Sequence, residues 1–285
     1  MPGTQRGVAL ITVLLVMSLA LLITAGMLRS HRLALGSSGQ QLHHLQLRQL
    51  GLAGEAWGLQ RLQVVMNDPK AALVLGPAWV GVQPPLLLEQ GQIDVSVEDL
   101  AARFNIRPLL ASNGPDEVTA QRWQRLQTGL GLTPLRADAL AGMTFSDISQ
   151  LRQVPGVDAQ TYARLQPWIV LLDGTATLNI NTASATVLAT LKGVTPVVAQ
   201  ALVAQRPAQG YTRVEDFILA PALIGLGVNS AGLGTTSRQL RLTTQVRVGQ
   251  GQLRLESDVA RDKKSGQWRI LQRRFLAPTH SGPLP

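Results

Sequence analysis

Between Arg6 and Arg29 the chain carries no charged residue, and Val, Leu, Ile, Ala and Met fill most of those 22 positions. At about 1.5 Å per residue a helix of that length runs ~33 Å, enough to cross a hydrocarbon core of about 30 Å. An export signal has a shorter apolar region, of about 7 to 15 residues, and a small-x-small cleavage site. Ile23-Thr24-Ala25 is a poor match for such a site, so a retained membrane helix is expected. Arg6 favours a cytoplasmic start, Arg29 and Arg32 oppose it, and the short leader tips the balance toward an exported carboxyl-terminal part. Further on, Leu42, Leu45, Leu52, Ala56 and Leu59 recur in helical register and predict an amphipathic continuation of the same helix. Asn67-Asp68-Pro69 ends the pattern. Gly36, Gly39, Gly51, Gly54 and Gly58 make this half locally weak and leave room for a kink or short break.

The period then changes from helix to strand. Ile93, Val95 and Val97 alternate with polar neighbours, and the carboxyl end repeats the alternation in QLRLTTQVRV, QLRLESDVAR and QWRILQRRF. Gly249-Gln250-Gly251 and Lys263-Lys264-Ser265-Gly266 separate these runs as turns. A small antiparallel sheet follows, its first strand far upstream of the other three, with one face covering the amphipathic half of the stem. Residues 107–237 read as helices and loops, an inserted helical subdomain left through a Gly- and Ser-rich stretch.

An internal repeat lies in that insert. LRQVPGVDAQTYARL (151–165) and LATLKGVTPVVAQAL (188–202) align without a gap. Gly156 and Gly193 are expected to form tight turns between two short helices, a helix–hairpin–helix pattern. Ahead of the second copy, NINTAS places Asn181 or Thr182 at a helix amino-terminal cap, and Tyr211, Val214, Phe217 and Ile218 read as further core. Such hairpins can present main-chain amides to DNA phosphates. Here Asp158 would repel a phosphate and Thr195-Pro196 removes an amide, so a packing module is the preferred reading.

Charge and composition narrow the classes. The net charge is +9, and between Arg238 and Arg274 ten Lys or Arg residues face only Glu256, Asp258 and Asp262. With no cysteine, disulfides and thiolate metal sites are excluded. His43 and His44 are adjacent on a helix and point about 100° apart, so they cannot easily hold one metal. The serines lack a nucleophile-elbow context, and Asp94, Glu98 and Asp99 read as solvated acids or partners of the basic strands. Trp57, Trp79, Trp123, Trp168 and Trp268 are scattered and suit core packing better than base stacking. No catalytic site is expected.

A short basic leader ending in Gly7 and followed at once by the apolar helix resembles the type IV prepilin and pseudopilin signal. That resemblance implies cleavage by a prepilin peptidase between Gly7 and Val8, and N-methylation of Val8. Family members usually carry glutamate at the fifth mature position, which here is Thr12. A carboxylate there costs several kcal/mol unless a cation meets it, and the proposed cation is the terminal amine of the subunit already above it in the filament. A foremost subunit has no such neighbour. Thr12 needs no cation, because its hydroxyl can bond back to the Val8 carbonyl.

With EDLAARFNI, LRQVPGVDAQTYARL, NINTASATVL, RVEDF and a basic three-strand end following in that order, nearly the whole chain resembles the K-type minor pseudopilin of type II secretion systems. The residues and the resemblance together predict an α+β pseudopilin fold. It comprises a leader (1–7), a transmembrane helix (8–28), a periplasmic stem (29–66), a core (67–106 with 238–277), the insert (107–237) and a tail (278–285). The resemblance implies a non-enzymatic, single-pass inner-membrane protein that caps the periplasmic pseudopilus and starts its assembly. Its implied partners are the I- and J-type minor pseudopilins, the prepilin peptidase and membrane lipid, with secreted substrate and the outer-membrane secretin as further candidates. Some family members bind calcium in an acidic stretch of the insertion. The matching segment here keeps only Asp138 and Asp147, whereas a hard cation wants six or more oxygen ligands. Calcium is therefore disfavoured, no other cofactor is implied, and the question of a metal stays open. The competing class is a membrane-anchored helix–hairpin–helix protein that binds DNA, as in competence systems.

Overall fold

The computed structural model describes residues 5–67, 85–89 and 91–277, and for 5–9 and 32–38 the backbone alone. Leader residues 1–4, Asp68-Pro69, Trp79 and the tail 278–285 with His280 lie outside the described residues. Helix α1 (Gln5–Met66) runs 62 residues without a break, about 93 Å at the usual rise. The stem is thus continuous through its glycines.

In chain order there follow β1 (Leu86–Leu88), β2 (Gly91–Asp99), β3 (Phe104–Asn105), α2 (Glu117–Gly129), α3 (Ala159–Leu165), β4 (Ile169–Val170) and β5 (Leu178–Asn179). Next come α4 (Ala185–Leu188), α5 (Pro196–Ala204), α6 (Val214–Ile218), β6 (Leu233–Gly234), β7 (Gln239–Val248), β8 (Gly251–Arg261) and β9 (Trp268–Leu276). One five-stranded antiparallel sheet has the order β1-β2-β7-β8-β9. The expected pairing of an upstream strand with the carboxyl-terminal meander is present as β2 against β7, with Val95 opposite Thr244. The additional edge strand β1 is too short for alternation to reveal. The segment between β2 and β7 is not helical throughout: β3 pairs with β4 and β5 with β6, both in parallel.

Helix α1 lies across one face of the sheet, but not by the predicted stripe. Leu42, Leu45 and Ala56 are exposed, and Leu52 and Leu59 are half-buried. The face turned to the sheet is Leu47, Gly51, Gly54, Glu55, Gly58, Leu62 and Met66, all buried. Its glycines let two backbones approach closely. A Cβ on Gly54 would sit 2.6 Å from Thr244 Cγ2 and 2.7 Å from Ile93 Cγ2, and one on Gly58 would sit 2.7 Å from Leu242 Cδ2. The sheet supplies the bulk and the helix the smooth surface, which is why counting large apolar residues selects the wrong side. Leu47 and Leu62, fully buried at the two ends of the contact, each contribute about 1.5–3 kcal/mol by burial.

Two larger further cores form between β2 and β7. One gathers Ile106, Leu109, Trp123, Leu126, Leu140, Leu151, Leu165 and Ile169, and the other gathers Ile180, Leu188, Leu191, Leu202, Phe217 and Leu223. Trp123 stacks near Phe104 at 5.9 Å, and its indole N–H donates to Leu135 O at 2.9 Å, which fits its reading as core.

Candidate functional site

Leu10–His31 is long and apolar enough to cross a membrane, and none of it is buried against the rest of the chain. Inside it two hydroxyls turn back onto the helix. Ser18 donates to Leu15 O at 2.9 Å and Thr24 to Ala20 O at 2.8 Å, as an apolar surrounding demands. Thr12 lies in the exposed part of this helix. Gly7 and Val8 fall within its first turns, where only the backbone is described.

The stem carries one acid, Glu55, which no local pattern in the sequence marks out. It sits on the sheet-facing stripe and is 3% exposed. Arg273 of β9 grips it with two nitrogens, Nη2 to Oε1 at 2.7 Å and Nε to Oε2 at 2.9 Å, and the Ser257 hydroxyl of β8 also donates to it. Burial alone would raise its pKa, but the Arg273 and Ser257 hydrogen bonds and the guanidinium charge outweigh it and hold the carboxyl below the ordinary glutamate range. A slip of one residue along the sheet would bury this charge without a partner, so the pair sets where the stem sits.

A bulge beside Asp258 and Val259, opposite Gln272 and Ile270, shifts the β9 register. Past it, Arg273 serves the stem face and Arg274 the opposite one. Arg274 reaches Asp258 at 2.7 Å and Asp147 at 3.3 Å, while Arg241 meets Asp258 at 2.7 Å. This network ties the segment between β2 and β7 to the sheet through Asp147, whose own carboxylate caps the 3-10 turn Ile148–Gln153 in a capping box.

EDLAARFNI and NINTAS, far apart in sequence, meet at a second junction. Asp94 is indeed a partner of the basic strands, pairing with Arg247 at 3.1 Å, and Glu98 pairs with Arg103. Asp99 departs from the expectation: it is buried and has no cationic partner among the described residues. It accepts from Ala101 N at 2.8 Å, Asn179 Nδ2 at 2.7 Å and Thr182 Oγ1 at 2.6 Å. Burial raises its pKa, and hydrogen bonds from Thr182, Ser237, Asn179 and the Ala101 amide offset part of the rise. Asn181 works alongside. Its amide donates to Tyr211 O and Thr235 O at 3.0 and 2.9 Å and accepts from Tyr211 N at 2.7 Å. Neither Asn181 nor Thr182 is therefore the helix cap. The cap of α4 is Ser184, which accepts from Val187 N, because the two earlier side chains are committed to tertiary bonds.

The two repeat copies bury corresponding positions. Leu151, Val154, Val157, Tyr162 and Leu165 are buried in one core, and their counterparts Leu188, Leu191, Val194, Ala199 and Leu202 in the other. Gly156 and Gly193 take φ of 89° and 74°, the left-handed region that suits glycine. The first arm of copy one is a 3-10 turn, where a short α-helix was expected. Asp158 and Thr195 cap the second helices, accepting from Thr161 N at 2.7 Å and Val198 N at 3.3 Å. One amide at the start of each second helix is thus taken up by the chain's own cap.

Among the described residues no three His, Asp or Glu side chains converge as a metal site would. In the segment considered for calcium, Asp138 pairs with Arg136 at 2.7 Å and Asp147 with Arg274. The His43 ring covers Gly251, and His44 faces outward.

The family model described as type II secretion system (T2SS), protein K, matches residues 178–236, the segment that holds the NINTAS junction and the second hairpin copy. The chain is similar to type II secretion system protein K of Pseudomonas aeruginosa, 28% identical over 94% of this chain and 92% of the relative. The protein of the same description in Klebsiella pneumoniae is 25% identical over 95% and 96%. In three dimensions it superimposes on a chain of the GspK-GspI-GspJ complex from the enterotoxigenic Escherichia coli type 2 secretion system, with a TM-score of 0.70 at 21% identity. The match covers 85% of this chain and 99% of that one.

Proposed function

We propose that this chain is a member of the type II secretion system protein K family, a structural minor pseudopilin and not an enzyme, and that it occupies the tip of the periplasmic pseudopilus and starts its assembly there. The observation that carries this reading is the stem. An unburied apolar span continues without a break into a helix that is seated on a sheet by one face and leaves Leu42, Leu45 and Ala56 exposed on the other. Such a helix is suited to pack against neighbouring stems. The start of the chain stays cytoplasmic and the sheet-bearing part is periplasmic. Prepilin peptidase cuts between Gly7 and Val8, and Val8 is methylated.

Thr12 then accounts for the position. A glutamate at that place in a subunit with nothing above it would be a buried charge without a cation. Threonine can close the back-bond that Thr24 makes, in its case onto Val8 O. The free Val8 amine points to a subunit below, with I- and J-type minor pseudopilins as neighbours, while the bulk of residues 107–237 blocks growth above. That segment acts as an insert whose hairpin repeats pack cores and bind no nucleic acid, and the chain needs no metal or other cofactor.

The test is to purify pseudopili from membranes, read the mass of the amino-terminal peptide and locate the chain by gold labelling. A methylated peptide beginning at Val8 and label at one end of each fibre are expected. Thr12→Glu should move label into the shaft. An unprocessed amino terminus, or wild-type label scattered along the fibre, would overturn the proposal.

A further inference from the structure

We propose that a cationic cleft at the far end of the stem binds a carboxylate-rich peptide segment of a partner protein. A cavity of about 650 Å³, within the range of ligand pockets, lies between the loop after β4, the start of β7 and the β8–β9 turn. Arg238, Lys263, Lys264 and Arg269 line it and are exposed. None of the four is in an ion pair among the described residues, although eleven such pairs occur elsewhere. The two acids at the cleft are occupied locally. Asp262 accepts from the Lys264 and Ser265 amides at 2.9 and 2.8 Å, and Asp173 from the Thr175 amide at 3.0 Å. Arg238, Arg261, Lys263, Lys264 and Arg269 thus outnumber Asp173 and Asp262, and net positive charge surrounds a recess.

Position and lining select the ligand. Arg261 bonds Met66 O at 2.9 Å and Gly266 O at 2.9 Å, which fixes the β8–β9 turn to the last residue of α1. The apolar span ends at His31, and the remaining helix to Met66 covers about 52 Å at 1.5 Å per residue. That exceeds five Debye lengths at physiological ionic strength, so lipid headgroups are out of electrostatic reach. Leu172 and Ala176 contribute apolar surface to the same cavity. A phosphate polymer has no use for such a floor, whereas a peptide that alternates acidic and aliphatic side chains uses floor and rim together. The cleft is independent of position in the fibre: a chain found in the shaft would still carry it.

The experiment titrates full-length chain in nanodiscs with a fluorescein-labelled Glu-Leu-Glu-Glu-Leu-Glu peptide at 150 mM salt, read by anisotropy. Saturable one-to-one binding is expected, weakened at least fivefold by Lys264→Glu and, as a second variant, by Arg238→Glu. Lys192→Glu, an equal charge change at an exposed site away from the cleft, should alter affinity less than twofold. The proposal is overturned by non-saturable binding or by equal weakening in all three variants. It also fails if a single-stranded DNA hexamer or phosphatidylglycerol vesicles displace the peptide as well as unlabelled peptide does.

Discussion

Arg273 and Glu55 are bonded to each other but are not equivalent, and the difference is measurable. Glu55 is 3% exposed, whereas the Arg273 side chain is 44% exposed. Replacing Arg273 by Met keeps most of the aliphatic stem but leaves a buried carboxylate with the Ser257 hydroxyl alone, an uncompensated charge worth about 3–5 kcal/mol. Replacing Glu55 by Gln leaves a guanidinium that water can still reach, so the loss is that of a charge-assisted hydrogen bond, about 1.5–3 kcal/mol. Taken at mid-range, Arg273→Met should therefore cost about 1–2 kcal/mol more than Glu55→Gln, roughly five- to thirtyfold in the folding equilibrium. Urea unfolding of the full chain in mild detergent, followed by the fluorescence of Trp57 and Trp268 against this core, measures both. The Glu55 carboxyl is held below its ordinary value, so its contribution is present above the unfolded glutamate range and is lost as pH falls through the folded value. Arg273→Met should abolish that acid-side loss. If Glu55→Gln proves the costlier change, or if both fall under 1 kcal/mol, the pair does not seat the stem.

Two further outcomes follow from the same contacts. Gly54→Leu forces a side chain into Thr244 and Ile93 and should destabilise by about 1–3 kcal/mol, with faster proteolysis of the stem from the sheet; unchanged unfolding and cleavage would refute the close approach. Asp99 has the opposite sign to Glu55. Its folded pKa is raised, so the native state binds its proton more tightly and stability falls as pH climbs from the unfolded aspartate value through the folded one. Asp99→Asn should flatten that slope while costing about 1–3 kcal/mol, because the new amide meets the Asn179 and Thr182 donors; a slope unchanged by the substitution would sink the assignment.

Periodicity alone determined much of the architecture. An uncharged run longer than a bilayer is thick, strict alternation in β2 and β7, and two copies of one pattern around Gly156 and Gly193 are local signals, because each depends on neighbours a few residues away. The same locality explains the failures. Leu42, Leu45 and Ala56 form an apolar stripe of correct spacing, yet the sheet took the glycine face, since the helix could come close only where it had no side chains. Glu55 reads as one more polar position until Arg273, 218 residues later, is brought opposite it. Asn181 and Thr182 look like helix caps, Asp99 like a solvated acid, and only the meeting of β2 with the loop after β5 made them a buried junction. What the chain writes into its own period is which segments are helix and which are strand. Which face is buried, and which charge survives burial, depends on partners distant in sequence, and the tertiary structure alone decided it.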